Sequence, residues 1–149
     1  MFSLKTKLAT AAIAVASATS FASPAIAGQC TTPGVNALTN APTMPQGVTD
    51  TVIGSVDLRA EIGVDDRQLR TRRLVVQPGG IVPLHSHKDR PALIYTLSGA
   101  ITEFSSTCST PIEHVAGDIS READGLSHYW INRGTVPAVL LSSDLHHGQ

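Results

Sequence analysis

Three histidines combine the residue type and the spacing that a metal site needs. His85 and His87 are separated by one residue, and His128 lies in a later segment. Side chains alternate along a strand, so a His-x-His pair places both imidazoles on one face. A third imidazole from a facing strand would complete a site with open positions for water or a small molecule. The sequence therefore predicts a divalent-metal site made by His85, His87 and His128.

The residues around these histidines form two motifs. The first has the spacing Gly, five residues, His-x-His and a closing Gly, and it comprises Gly79, His85, His87 and Gly99. The second ends in Gly, two residues, His, three residues, Asn, and it comprises Gly117, Ala123, Gly125, His128 and Asn132. Both resemble the motifs of the cupin family, in particular small single-domain cupins. The resemblance implies an all-β fold, the double-stranded β-helix or cupin jelly-roll barrel.

Two positions depart from the cupin motifs. Ala123 replaces a proline, and Ala92 stands where a glutamate is expected. Loss of that anionic ligand favours softer ions such as zinc or copper over manganese, although iron and nickel also suit imidazole. Glu103 or Asp89 could replace the missing carboxylate, and Glu103 could equally be a solvated strand residue. The alternative is a metal-free barrel with a hydrogen-bonded polar cluster at the histidines.

Short strands separated by Gly, Pro, Ser and Asp agree with a barrel, and no segment reads as a convincing helix. Strands are predicted at residues 51–58 and 69–76, with a turn at residues 78–80 before the first histidine strand. We interpret residues 1–27 as a cleaved signal peptide, residues 28–50 as an N-terminal arm and residues 51–149 as the cupin domain. The arm is rich in Thr, Pro, Asn and Gly, and it could support a homodimer.

The strand after the histidine pair predicts the pocket. Ala92, Ile94 and Thr96 share the inward face, while the residues between them face outward. Trp130 shares a face with His128 and would offer a flat wall for stacking. A mostly apolar pocket of Ala92, Ile94, Thr96 and Trp130 favours a small apolar or aromatic ligand.

Several other polar residues have two interpretations. Arg70, Arg72 and Arg73 could form the solvated rim of a strand, or one could bind a substrate carboxylate. His114 is expected to make a surface hydrogen bond. His146 and His147 are expected in a flexible tail. Ser86 alternates away from the histidines, which disfavours a serine hydrolase, and no residue stands out as a catalytic base.

The first residues carry two lysines followed by an alanine-rich apolar run that ends in an Ala-x-Ala signature, which is typical of export. We therefore expect a periplasmic or secreted protein without a stable membrane anchor. Its net charge of −1 and the lack of basic residues interleaved with aromatics argue against a nucleic-acid partner. In an oxidising compartment Cys30 and Cys108 could form one disulfide, which the sequence alone leaves open.

These features leave three function classes open. The protein could be an enzyme, dioxygenase-like or otherwise metal-dependent, with a small-molecule substrate. It could instead hold a small ligand or a metal without turnover, or serve as a structural barrel that dimerises. Measured metal content and oxygen uptake would separate these classes.

Overall fold

Eight antiparallel strands wind into a nearly closed barrel in the computed structural model, which describes residues 28–147. The strands are β1 Gln46–Asp57, β2 Gln68–Ser86, β3 Ala92–Ser98, β4 Ala100–Ser105, β5 Ile112–Val115, β6 Ile119–Glu122, β7 Ser127–Ile131 and β8 Ala138–His146. Their order in the sheet is β5-β4-β7-β2-β8-β3-β6, and β1 pairs with β2. The predicted all-β jelly-roll fold is confirmed. The interpreted signal peptide, residues 1–27, lies outside the described residues.

The long strand β2 joins the two halves of the barrel. Its first half pairs with β1 and β8, and its second half pairs with β7. The sequence predicted a turn at residues 78–80, but the chain continues as one strand. Gly79 takes φ 74°, which glycine adopts without steric cost, and its N–H donates to the Asn132 carbonyl at 2.8 Å. The positive φ thus changes the strand's direction without ending its pairing.

The N-terminal part differs from the prediction in two ways. Strand β1 begins at Gln46, five residues before the expected strand, and lies almost fully exposed at the sheet edge. A short helix α1, Leu58–Ile62, follows it. The Asp57 side chain accepts a hydrogen bond from the Arg59 N–H at 3.0 Å, which caps the start of α1. Gly63 ends α1 in the left-handed conformation, with φ 70°.

A disulfide ties the residues before β1 to the barrel. Cys30 and Cys108 are bonded across a sequence separation of 78 residues. An isolated β-bridge between Pro33 and Cys108 runs beside the disulfide. The bond that the sequence left open is therefore present, and it holds the arm against the turn after β4.

The barrel interior is apolar in one part and polar in the other. The apolar core consists of Leu74, Val76, Ala92, Ile94, Ile101, Trp130, Ala138 and Leu140. Strand β3 shows the expected alternation, with every second side chain from Ala92 to Thr96 buried. The polar part contains the buried side chains of His87, His128, Glu103, Glu122 and Asp144. Buried charges are costly unless they are paired, and ionisable groups cluster at functional sites. The polar interior is therefore the candidate functional site.

Residues 28–147 contain no helix that is long and apolar enough to cross a membrane.

Candidate metal centre and ligand cavity

Strand pairing brings the three predicted histidines together. Strands β2 and β7 run antiparallel with His85 directly opposite His128. His87 comes directly after β2, and its backbone N–H donates to the Leu126 carbonyl at 2.7 Å, just before β7. The two-residue spacing then turns His87 toward the same interior as His85. The three imidazoles form one cluster, with ligand atoms all within 4.8 Å of one another.

An acceptor lies beside the Nδ1 atom of each histidine. His85 Nδ1 is 2.8 Å from the Pro83 carbonyl, His87 Nδ1 is 2.7 Å from the Arg90 carbonyl, and His128 Nδ1 is 2.8 Å from Glu103 Oε1. A carbonyl or carboxylate can only accept, so each Nδ1 carries the proton. Each Nε2 then presents a lone pair, which is the form that binds a metal.

The Nε2 atoms converge at metal-binding separations. His85 Nε2 lies 3.1 Å from the Nε2 atoms of both His87 and His128. Metal–nitrogen bonds of about 2.0–2.1 Å would place two ligand nitrogens about 2.9 Å apart at a right angle and about 3.3 Å apart at a tetrahedral angle. The observed spacing lies between these values. Three facing lone pairs repel one another unless a cation lies among them, so the residues fit a divalent metal.

Burial keeps two of these ligands neutral. Desolvation lowers the pKa of His85 to about 4, and the neighbouring His128 lowers it further. Desolvation also lowers the pKa of His87 to about 4, against the opposing effect of its hydrogen bond to the Arg90 carbonyl. Both imidazoles are therefore neutral at neutral pH, and their Nε2 lone pairs are available to a metal.

Glu103 connects His128 to a further histidine. Its side chain is buried and accepts from His128 Nδ1 and from His114 Nε2, both at 2.8 Å. Burial by itself would raise the pKa of Glu103, but the hydrogen bonds from His114 and His128 outweigh it and lower the pKa to about 2. Of the two alternatives for Glu103, the solvated strand residue is wrong, because its side chain is buried. The expected surface position of His114 is also wrong. Residues two apart on β4 share the interior face, which explains the burial of Glu103.

A second buried carboxylate lies beside the alanine that replaces the cupin glutamate. Ala92 on β3 pairs with Glu122 on β6. Glu122 Oε2 is 3.2 Å from His128 Nδ1 and has no hydrogen-bond partner among the described residues. Burial raises the pKa of Glu122 to about 6. Glu122 therefore lies on the Nδ1 side of His128, away from the three Nε2 atoms, and acts on that ring rather than as a fourth member of the histidine cluster.

Trp130 competes for the same ring nitrogen. Its Nε1 lies 3.0 Å from His128 Nδ1, and its indole stacks on His114 with ring centroids 4.6 Å apart. Nδ1 cannot donate to Glu103 and accept from Trp130 at once. The bond to the ionised carboxylate is charge-assisted and the stronger of the two, so Nδ1–H···Glu103 decides the tautomer.

A cavity of about 360 Å³ opens onto this cluster. His85 lies in its wall together with two of the four predicted pocket residues, Ile94 and Trp130. Ala92 instead lines a second cavity, and Thr96 is buried without lining either one. The sequence did not single out Leu74, Val82, Leu140 and Arg90, which also line the cavity with His85. These residues come from two strands, β2 and β8, and the loop after β2, so their contact depends on barrel closure.

Most of the remaining candidate residues are held in ion pairs outside the histidine cluster. Asp89 is exposed and pairs with Arg67 and His147 rather than with the histidine cluster. His147 belongs to this network through hydrogen bonds to Asp66 and Asp89. The expectation that His146 and His147 lie in a flexible tail was therefore wrong, since His146 is the last residue of β8. Arg70 and Arg72 turn toward buried Asp144, whereas Arg73 is exposed.

The fold and site define a double-stranded β-helix with three histidines at its interior. The family model described as a cupin domain matches residues 72–144. This chain is a cupin-family protein.

Two curated relatives are similar to this chain in sequence, and one solved structure is similar to it in fold. Germin-like protein 8-14 of Oryza sativa subsp. japonica is 37% identical over 84 residues, which cover 53% of this chain and 39% of that protein. Germin-like protein 1 of Brassica napus is 33% identical over 76 residues, covering 49% and 37%. A predicted oxalate decarboxylase from Thermotoga maritima superposes with a TM-score of 0.57 at 21% identity, covering 77% of this chain and 92% of that one. The chain thus spans about two fifths of the length of these curated relatives.

Proposed function

We propose that this protein binds a divalent transition metal through His85, His87 and His128 and acts on a small molecule held in the adjoining cavity. Iron, zinc, copper, nickel and manganese are the candidate metals. One observation carries the proposal. The Nε2 atoms of the three imidazoles converge, while the Nδ1 atom of each ring faces a hydrogen-bond acceptor. A structural histidine cluster would not need every ring to be held in the metal-binding tautomer.

The chain's own residues would divide the work in a simple way. When bound, the metal supplies Lewis acidity or, if it is redox-active, electron transfer, as in a dioxygenase-like reaction. The Glu103 carboxylate holds the His128 ring and its Nδ1 proton. The apolar wall formed with Ile94 and Trp130 excludes water from a ligand beside His85.

A second candidate is ligand binding without turnover. The single acidic residue in the described wall of the cavity is Asp50, and it is bonded to Arg72. No free carboxylate is therefore at hand in that wall to serve as a general base, which favours either chemistry at the metal or binding alone. The blandest alternative is a dimerising barrel that carries no metal.

Elemental analysis of the mature protein, purified from its native compartment without an affinity tag, tests the proposal. A near-stoichiometric transition metal in the wild type and its loss in His128→Ala would support it. Absence of metal, with no uptake when the five ions are added, would overturn it in favour of the metal-free barrel. Oxygen uptake by the metal-loaded protein, with candidate substrates present, would then separate an enzyme from a binding protein.

We also propose that the protein is exported to the periplasm or secreted, with residues 1–27 as the signal peptide, 28–50 as the arm and 51–149 as the cupin domain. The Cys30–Cys108 bond supports export, because disulfides persist in oxidising compartments. Mass spectrometry of the mature N-terminus tests it. A chain that begins at Gly28 agrees with export, and an intact Met1 in a cytoplasmic fraction contradicts it.

We further propose a homodimer. The outer face of β3 exposes Leu93, Tyr95 and Leu97, and Ile119 pairs with Tyr95 from β6. A row of exposed apolar side chains on the outer face of a sheet is typical of an interface. Light scattering on wild type and Leu93→Lys tests it. A dimer that becomes a folded monomer on substitution is expected, and a monomeric wild type would exclude it.

A further inference from the structure

We propose that the cavity beside His85 selects a small monocarboxylate with an apolar body, and that Arg72 and Arg90 bind its carboxylate. The inference rests on the proposed function in taking this cavity as the ligand site. It adds the chemical class of the ligand and two residues that recognise it.

The cavity has an apolar part and a cationic part. Its apolar lining consists of Pro45, Val48, Leu74, Val82, Pro83, Ile94, Trp130 and Leu140. Its polar lining consists of Asp50, Arg72, Arg90, Ser142 and His85. A volume of about 360 Å³ suits a small molecule with one polar group and one apolar body.

The two arginines belong to a cluster with an excess of positive charge. Asp144 is fully buried and accepts from Arg70 Nη2 at 2.8 Å and from Arg90 Nη1 at 3.1 Å. Arg72 lies within 3.5 Å of the same carboxylate and is also bonded to Asp50. Three guanidinium groups thus face two carboxylates. One further negative charge would balance the cluster.

One buried donor in this cluster is left without an acceptor among the described residues. Arg72 Nη2 donates to Ser142 Oγ at 3.2 Å, but its Nε is buried and has no partner among the described residues. Arg90 is bonded to Asp144 through Nη1, and its side chain is also part of the cavity lining. A buried donor without an acceptor is unfavourable, so an arriving acceptor is favoured at this point.

A carboxylate meets these requirements better than other anions. Its two oxygens match the planar fork of a guanidinium, and its single charge equals the excess of the cluster. A dianion such as oxalate would exceed that charge and would leave the apolar lining unfilled. An apolar body, in contrast, would displace water from Leu74, Val82 and Leu140. With its carboxylate at the arginines, the ligand's apolar end lies in the same cavity as His85.

The single tryptophan of the chain provides a direct measurement, because Trp130 lines this cavity. Phenylacetate and its neutral isostere phenylacetamide are titrated into metal-free protein while Trp130 emission is followed. 4-Methylpentanoate and its amide form an aliphatic pair, and oxalate is the small dianion. We expect saturable binding of both monocarboxylates, with the amides and oxalate weaker by about tenfold or more.

Variants identify the residues that carry the effect. Arg72→Gln and Arg90→Gln are each expected to lower the affinity for phenylacetate by about tenfold and to leave the affinity for phenylacetamide unchanged. Arg73→Gln is the matched control, since Arg73 is the exposed neighbour of Arg72 on β2. Arg72→Lys keeps the charge but loses the fork, so it should give an intermediate affinity and protects the test if Arg72→Gln fails to fold.

Three results would overturn the inference: no saturable binding of either monocarboxylate, equal affinity for acid and amide, or full affinity in both glutamine variants. Metal content is measured on separate samples of the same wild-type protein. Carboxylate binding without any metal uptake would remove the metal part of the proposed function and keep this inference. Metal uptake without carboxylate binding would overturn this inference and keep the metal part of the proposed function.

Discussion

His85 and His128 are direct partners across strands β2 and β7, and their Nε2 atoms lie 3.1 Å apart. The pairing register alone decides this contact. A shift of one residue would turn one of the two rings to the outer face of the barrel. The metal centre thus depends on the same backbone hydrogen bonds that close the barrel.

His128→Ala is expected to abolish retention of a metal, because it removes one of three neutral ligands and leaves two. Metal content after dialysis is the measurement. His147→Ala is the matched control, since His147 is exposed and bonded to Asp66 and Asp89. Equal metal content in wild type and His128→Ala would contradict the site.

Glu103→Gln is expected to lower the affinity for the metal by about 10–100-fold. Removing the hydrogen-bond partner of a metal-binding side chain typically has an effect of this size. The amide replaces a charged acceptor that holds both His128 and His114. Competition with a chelator measures the affinity. Glu61→Gln on the exposed helix α1 makes the same chemical change away from the site and should have no effect. An unchanged affinity in Glu103→Gln would show that the ring needs no carboxylate.

The metal-free protein is expected to lose stability as the pH falls from about 6.5 to 4. The pKa values of His85 and His87 are lowered to about 4 in the fold, so the unfolded chain binds more protons in this window. Glu122 acts in the opposite sense, because its raised pKa, about 6, makes the folded state bind a proton between about 6 and 4.5. The two histidines outweigh the one carboxyl, so stability falls with falling pH.

Glu122→Gln separates these opposing contributions. Removing the proton taken up by Glu122 should make the acid loss of stability steeper, while the stability at pH 7 is maintained or raised. Urea unfolding at several pH values measures both. A slope that is unchanged or shallower in Glu122→Gln would show that the pKa of Glu122 is not raised in the fold.

Cys30→Ser is expected to lower the free energy of unfolding by at most about 4.5 kcal/mol, because the bond closes a loop with a sequence separation of 78 residues. Chemical unfolding of the variant, and of the wild type with and without reductant, measures the effect. Thiol titration of unfolded, unreduced wild type should find no free thiol. Two free thiols would show that the bond does not form in the purified protein.

The sequence was sufficient for the parts that depend on local spacing. Successive side chains of a strand point to opposite faces, so residues two apart share a face. This alternation put His85 and His87 on one face. It also placed Ala92, Ile94 and Thr96 on the inner face of β3. The two motifs indicated the barrel and its third histidine. The expected turn at residues 78–80 was wrong, because a glycine can redirect a strand and keep it paired.

Only the tertiary structure decided the surroundings of the histidines. Glu103 and Glu122 contact His128, and His114 contacts Glu103, from three different strands. Arg72, Arg90 and Asp144 come together from two strands and a loop. Such meetings depend on which strands are neighbours and in what register, and strand order is set by closure of the whole barrel rather than by local spacing. A charged residue read in isolation looks solvated. Inside the nearly closed barrel these residues are buried or half-buried, and their partners there determine what each one can do.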